Sequence, residues 1–310
     1  MAPQFVDFNA DGFIDIVTGT YDGSPHVSYG SAIGFSEPTH VLDRDGNRMV
    51  MGMYFDQDNG GWTMDEGGHC TSAAAFDWDA DGDFDLLMGD YNQGLLMLRL
   101  NEGTNEKPAF ATQNTQVMIG EEPFKVKGGM SAPQLIDWDG DGLTDIITGG
   151  MQEGGVYLYR NTGKKGAPEF APPITLLEAE AMPTVKTEPN SGCYVFAHDL
   201  DDDGDLDLLV GGYAVWTPER EPLTPEQEER LKELKDELES LNTKIDEVFA
   251  AVQEQAGDDY EKLAELMDAL WEDNEELGTI MQLAQDHMSE IAQLEGQPER
   301  SAGVWMYRRK

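Results

Sequence analysis

The chain has 310 residues, 39% of them hydrophobic, enough to bury the core of one large domain or two modest ones. Its 61 acidic and 20 basic residues give a formal charge of −41, a field that repels phosphate backbones and anionic lipid and so excludes nucleic acid as a partner. No apolar run approaches the roughly 20 residues that cross a bilayer, so no membrane span is expected.

Read from its start, the chain opens with MAPQFVDFN, abruptly inside what proves to be a repeat, and a signal peptide or longer upstream segment is therefore expected to have been removed. The first acidic stretch, DFNADGFID at 7–15, runs directly into IVTG, a short β-type run closing on Gly19. The same frame, D-x-[DN]-x-D-G-x-x-D, returns as DWDADGDFD at 77–85, DWDGDGLTD at 137–145 and DLDDDGDLD at 199–207, each copy running into a strand-like segment that ends on Gly89, Gly149 or Gly211. The copies begin 70, 60 and 62 residues apart, the period of a repeated supersecondary unit. A further strand follows each of the second and third motifs, LLMLRL at 95–100 and VYLYR at 156–160, then turns NEGT and NTGK, then the matched segments PAFATQNTQVMI and PEFAPPITLL. Each unit thus reads as about four antiparallel strands. The expected fold is mainly β, a β-propeller of four four-stranded blades closed into a ring.

The acidic spacing has a chemical meaning. Calcium takes six to eight oxygen ligands, and a short loop supplies them when alternate side chains turn inward. Positions one, three and five do so here, the glycine at position six permits the sharp turn, position seven offers a backbone carbonyl, and position nine returns a carboxylate as the next strand begins. The ligand set expected for about four calcium ions is Asp7, Asn9, Asp11, Phe13 and Asp15; Asp77, Asp79, Asp81, Asp83 and Asp85; Asp137, Asp139, Asp141, Leu143 and Asp145; Asp199, Asp201, Asp203, Asp205 and Asp207. Phe13, Asp83, Leu143 and Asp205 enter that set through their carbonyls. An EF-hand is excluded, because its twelfth position needs a glutamate and here holds Thr18, Met88, Thr148 and Val210. Asn9 removes one ligand charge, so the first loop is expected to bind most weakly.

With these residues the chain resembles the FG-GAP family, also described as VCBS repeats, seen in integrin α-subunit propellers and many bacterial secreted proteins. The resemblance spans the four units, roughly 1–216 and the last few residues, and includes APQ at 2–4 and 132–134. It implies a propeller whose calcium-binding loop joins the first two strands of a blade.

Past LDLLVGGY the composition changes. Leu231, Leu234, Leu238, Leu241, Ile245, Val248 and Val252 recur three and four apart, the seam of a coiled coil, and Thr224 with Pro225 forms a helix start. After a turn at Gly257, a second helix carries Leu263, Leu270, Leu277, Ile280, Ala284, Ile291 and Leu294, with Asn274 either near the seam or solvated. The domain organisation expected is 1–221 plus 299–310 as the β-propeller and 222–298 as an antiparallel helical coiled-coil hairpin, inserted in the last blade before AGVWMYRRK resumes the β pattern. The hairpin is either a rigid decoration or a surface for a partner or a second copy.

Other candidates are fewer. The long loop at 43–70 sets Tyr54, Phe55 and Trp62 among acids, which suits sugar or cation binding as well as a plain structural loop. His69 with Cys70, and His198 with Cys193, are either a transition-metal site or isolated histidines held by hydrogen bonds. These two cysteines are either buried thiols or one long-range disulfide. No G-x-S-x-G elbow, P-loop, G-x-G-x-x-G or H-E-x-x-H motif is present. The expected function is a secreted, periplasmic or cell-surface calcium-binding module for a protein or glycan ligand. A carbohydrate-active enzyme on the same scaffold and a structural subunit assembling through the hairpin are the alternatives.

Overall fold

The computed structural model describes residues 3–56, 61–63, 68–151, 155–180, 183–257, 262–263, 266–267, 269–270 and 274–309. The chain divides into two compact units, Met1–Val215 with Arg300–Lys310, and Trp216–Glu299.

The first unit is built of antiparallel meanders. Strands β1 (Gln4–Val6), β2 (Asp15–Gly19), β3 (Pro25–Ser28) and β4 (Thr39–His40) pair in chain order. The second sheet, β5 (Cys70–Phe76), β6 (Asp85–Asp90), β7 (Leu96–Arg99) and β8 (Thr115–Gln116), repeats that order, as does the third, β9 (Gln134–Ile136), β10 (Asp145–Gly149), β11 (Val156–Tyr159) and β12 (Ile174–Leu177). The fourth sheet holds three strands, β13 (Ser191–His198), β14 (Asp207–Trp216) and β15 (Glu299–Tyr307). Among the described residues this sheet lacks the outer strand that four strands per unit would give it. After β14 the chain enters a helical segment that includes α1 (Pro225–Ala256) and α2 (Glu275–Glu295), and among the described residues it supplies a single further strand on its return.

Register repeats as faithfully as sequence. Phe5 faces Ile16, Ala75 faces Leu86, Leu135 faces Ile146 and Ala197 faces Leu208. Because side chains alternate across a strand, neighbouring residues of the second strand serve two different neighbours. Val17 packs with Leu86, Leu87 with Ile146, and Ile147 with Leu208, so three hydrophobic clusters join sheet one to two, two to three, and three to four. Gln4 tightens the first of these contacts by accepting from Ala75 N–H at 2.6 Å and donating to Ala75 O at 3.1 Å. Gln134 bonds Ala197 in the same way across the third. The end sheets keep apolar side chains exposed, Phe5 on the first and Phe196, Val304 and Met306 on the fourth, and Phe5 and Phe196 line one cavity with Ala74, Ala132 and Leu135.

The strand-ending glycines follow from this packing. A Cβ on Gly149 would lie 2.1 Å from Cys193 O, and on Gly89 2.2 Å from Ser131 O, because the next sheet's backbone runs against them. Gly211, in the last sheet, meets nothing closer than Tyr194 O at 4.0 Å. Gly149→Ala is therefore expected to cost about 2–3 kcal/mol and Gly211→Ala less than about 0.5 kcal/mol in urea unfolding. Equal costs would contradict the sheet-to-sheet contacts drawn here.

In the second unit, α1 begins with a capping box in which the Thr224 hydroxyl accepts from Gln227 N–H and the Gln227 side chain accepts from Thr224 N–H. Of the expected seam, Leu234, Leu241, Leu277 and Ala284 are buried, and the other described members are half-buried. Arg230 pairs with Glu290 through two hydrogen bonds, at 2.9 and 3.0 Å, and His287 meets Glu237 at 2.7 Å, which sets the helices antiparallel. Asn274 is neither a seam nor a solvent residue. Its side chain caps α2 by accepting from Leu277 N–H at 2.9 Å.

Candidate metal centre: the four acidic loops

Each acidic stretch forms the connection between the first and second strand of its sheet. The glycine at position six has φ of +91°, +102°, +87° and +94° in the four copies, a left-handed turn that reverses the chain within the loop. Position four is left-handed as well, at Ala10, Ala80, Gly140 and Asp202. Only Gly140 advertised this in the sequence.

Loop amides and carboxylates then organise one another. At position seven, the N–H groups of Phe13, Asp83, Leu143 and Asp205 donate to the position-five carboxylates of Asp11, Asp81, Asp141 and Asp203, at 2.8–3.1 Å. In the first, third and fourth loops the position-one carboxylate takes up the turn: Gly12, Gly142 and Gly204 donate to Asp7, Asp137 and Asp199 at 2.9–3.0 Å.

Position nine performs a task that spacing did not reveal. Asp15, Asp85, Asp145 and Asp207 are at most 1% exposed. One oxygen of each accepts from the loop's second residue, Phe8, Trp78, Trp138 or Leu200, at 2.8–3.2 Å. The other accepts from an amide just beyond the third strand, at Gly30, Asn101, Asn161 or Arg309, at 2.7–3.0 Å. This carboxylate therefore clamps the acidic loop to the end of strand three in all four units. Asn101 and Asn161 extend the clamp: each side-chain oxygen accepts two amides across the following turn, from Gly103 and Ala109 or from Gly163 and Glu169.

Ligand-bearing oxygens converge within 4.8 Å of one another in three loops: Asp77, Asp79 and Asp85; Asp137, Asp139 and Asp145; Asp199, Asp201 and Asp203. In the first loop, Asn9 donates its amide to Asp11 at 2.9 Å, and no such acidic group is formed among the described residues.

The second loop fits a cation best. Asp77 Oδ1 and Asp83 Oδ1 are buried with no hydrogen-bond partner, an unfavourable state for a carboxylate oxygen that a bound cation relieves. Burial first, and then the charges of Asp81, Asp79 and Asp77, push the Asp83 carboxyl up to about 6. Burial likewise pushes Asp85 up to about 6, against the pull of its two amide bonds. Without an ion, these groups hold protons below about pH 6 and stand ionised beside one another at neutrality.

The third and fourth loops carry a cation of their own chain. Arg160, immediately after β11, makes a close ion pair with Asp139, and its Nη2 lies 3.4 Å from Asp141 and its Nε 3.5 Å from Asp145. Arg308, the corresponding residue after Tyr307, places Nη1 3.1 Å from Asp201. Leu100 fills this place in the second unit and Tyr29 in the first. A guanidinium among the carboxylates places a positive charge where a cation would sit, and would compete with any dication there. Arg160→Gln is expected to tighten calcium at the third loop roughly tenfold, the equivalent of about 1.4 kcal/mol of removed repulsion. Unchanged calcium titrations by calorimetry would contradict that competition.

The remaining candidates resolve differently. Cys70 and Cys193 are buried thiols that form no disulfide, both pushed up by burial. His69 Nε2 lies 2.8 Å from Tyr21 O, and among the described residues neither His69 with Cys70 nor His198 with Cys193 forms a metal-ligating group. Tyr54 lies under the Arg48 guanidinium at 5.1 Å and the Phe55 carbonyl accepts from the same arginine, ties that hold the long loop together. The Trp62 side chain lies outside the described residues. No described helix is long and apolar enough to cross a membrane.

Residues 137–210 match the family model described as FG-GAP-like repeat. The matched segment runs from the first aspartate of the third loop through β10–β13 and the fourth loop into β14. This supports the FG-GAP/VCBS repeat family, and the clamp and strand register found inside the matched segment recur in the first and second sheets.

Proposed function

We propose that this FG-GAP-type chain is a calcium-stabilised β-propeller module that binds a protein or glycan ligand outside the cytoplasm. The observation that carries the reading is the second loop, where two buried carboxylate oxygens have no partner in the protein. Asp77, Asp79 and Asp85, whose oxygens converge, would hold the ion there with Asp81 and Asp83 beside them, and Asp85 also orients the loop. Calcium supplies positive charge that lets these carboxylates stay ionised together; it has no part in a reaction. Three successive sheet-to-sheet clusters support the propeller arrangement. The exposed apolar side chains of the first and fourth sheets, of which Phe5 and Phe196 line one cavity, favour closure of the ring between those two sheets. Location outside the cytoplasm follows from supply, because calcium near 1 mM fills even weak sites.

Binding is tested on panels of immobilised glycans and extracellular-type proteins, in about 1 mM calcium and in excess chelator. The reading expects at least one ligand retained in calcium and released by chelator. Retention of nothing in calcium would remove the binding function while leaving the calcium chemistry to be judged separately.

A further inference from the structure

A second group of metal-ligating side chains lies on the first sheet, outside the acidic loops. His26 on β3 and His40 on β4 are cross-strand partners, so both project from one face, with ring centroids 4.3 Å apart. Asp22, in the turn before β3, reaches both: its Oδ2 lies 2.9 Å from His40 Nε2 and 3.6 Å from His26 Nε2. All three ligand atoms fall within 4.8 Å of one another. Zinc with bonds of about 2.0–2.1 Å in a tetrahedron separates neighbouring ligand atoms by roughly 3.3 Å, and the two distances from Asp22 straddle that value.

The surroundings hold the donors in ligating form. His26 Nδ1 lies 3.3 Å from the Ser24 carbonyl and 3.1 Å from Thr20 Oγ1, so a proton on Nδ1 leaves Nε2 free to bind. Asp22 is fixed from behind: the Thr20 hydroxyl and Ser24 N–H donate to Oδ1, and Arg48 Nη2 lies 3.1 Å from Oδ2. Arg48 is itself tied to the Ser24 hydroxyl and to the carbonyls of Phe55 and Asp22. Its charge opposes a dication, so the affinity falls below that of a thiolate-bearing structural site. The side chains of Asp22, His26 and His40 are 20%, 13% and 27% exposed, which leaves a fourth position within reach of solvent. Two imidazoles and one carboxylate suit zinc-type ions and not calcium, which asks for six to eight oxygens.

We propose that Asp22, His26 and His40 form a site for one divalent transition metal of the zinc class, with its fourth position open to water or a ligand atom.

The test titrates the full chain with cobalt(II), then zinc, in about 1 mM calcium so that the acidic loops are occupied. The expected result is one cobalt per chain with the intense visible bands of four-coordinate geometry, displaced by zinc. Histidine-ring NMR of the unmodified chain should show His26 and His40 paramagnetically broadened while His69, His198 and His287 are spared. His26→Gln and His40→Gln should each weaken binding at least about tenfold without lowering the melting temperature in calcium. Broadening of other histidines, cobalt removed by calcium alone, or unchanged affinity in both variants would overturn the site. The NMR result stands whether or not the variants fold, and whether or not the acidic loops prove to bind calcium.

Discussion

Transfer from millimolar calcium into excess chelator at pH 7.5 is expected to lower the melting temperature of the β unit by roughly 10–20 °C. An ion present at 100 times its dissociation constant contributes about 2.7 kcal/mol per site, and for a unit of this size about 1 kcal/mol moves the midpoint by 2–4 °C, so two filled loops suffice. The pH dependence should change sign with the ion. Without calcium, Asp83 and Asp85 titrate near 6 in the folded chain against an ordinary 3.8, so the folded state holds more protons between those values. Stability then falls as pH rises from about 4 through about 6, and the chelated protein should melt higher at pH 5 than at pH 7.5. With calcium the order reverses, because protons and the ion compete for the same oxygens. Differential scanning calorimetry at the two pH values, with and without calcium, reads all four cases. Curves that superimpose in calcium and chelator would contradict cation binding in the second loop.

Replacing a position-nine aspartate is expected to be the most damaging single change in the β unit, and damaging whether or not calcium is present. Asp145→Ala removes both acceptors of a fully buried carboxylate and leaves Trp138 N–H and Asn161 N–H without partners. Each orphaned amide costs about 1–3 kcal/mol, giving a loss of roughly 3–5 kcal/mol in chelator and calcium alike. Asp139→Ala makes the contrast, since its side chain is part-exposed and its partner is Arg160. That variant should cost less than about 1 kcal/mol in chelator and show its main loss as calcium affinity. Urea unfolding under both conditions separates the two roles. A position-nine variant whose whole penalty vanished in chelator would make that aspartate a ligand and nothing more.

These contrasts mark where sequence reading carries and where it stops. The frame of alternating aspartates with glycine at position six is local, its meaning lies within nine residues, and the loops form where it predicts them. Position nine is half local: its bond to the loop lies seven residues back, but its bond to Asn161 depends on where β11 ends, sixteen residues on. Arg160 and Arg308 stand directly after strand-like runs, and only the register of β11 and β15 against the loop shows that they enter the acidic cluster. Asp22, His26 and His40 were hidden for the same reason. Fourteen residues separate the two histidines, and the β3–β4 pairing alone makes them neighbours. In the helices, seam spacing was legible because it is periodic, whereas Asn274 read as a seam or surface residue until the start of α2 was known.

Counting bound calcium tests the central claim most directly. The chain, equilibrated in calcium and freed of excess ion by gel filtration, should carry three to four ions by atomic emission, one for each repeated loop that closes. Asp79→Ala together with Asp81→Ala should remove one of them and leave the others. Fewer than one ion per chain, or a count indifferent to those substitutions, would contradict the claim that the acidic loops are cation cages.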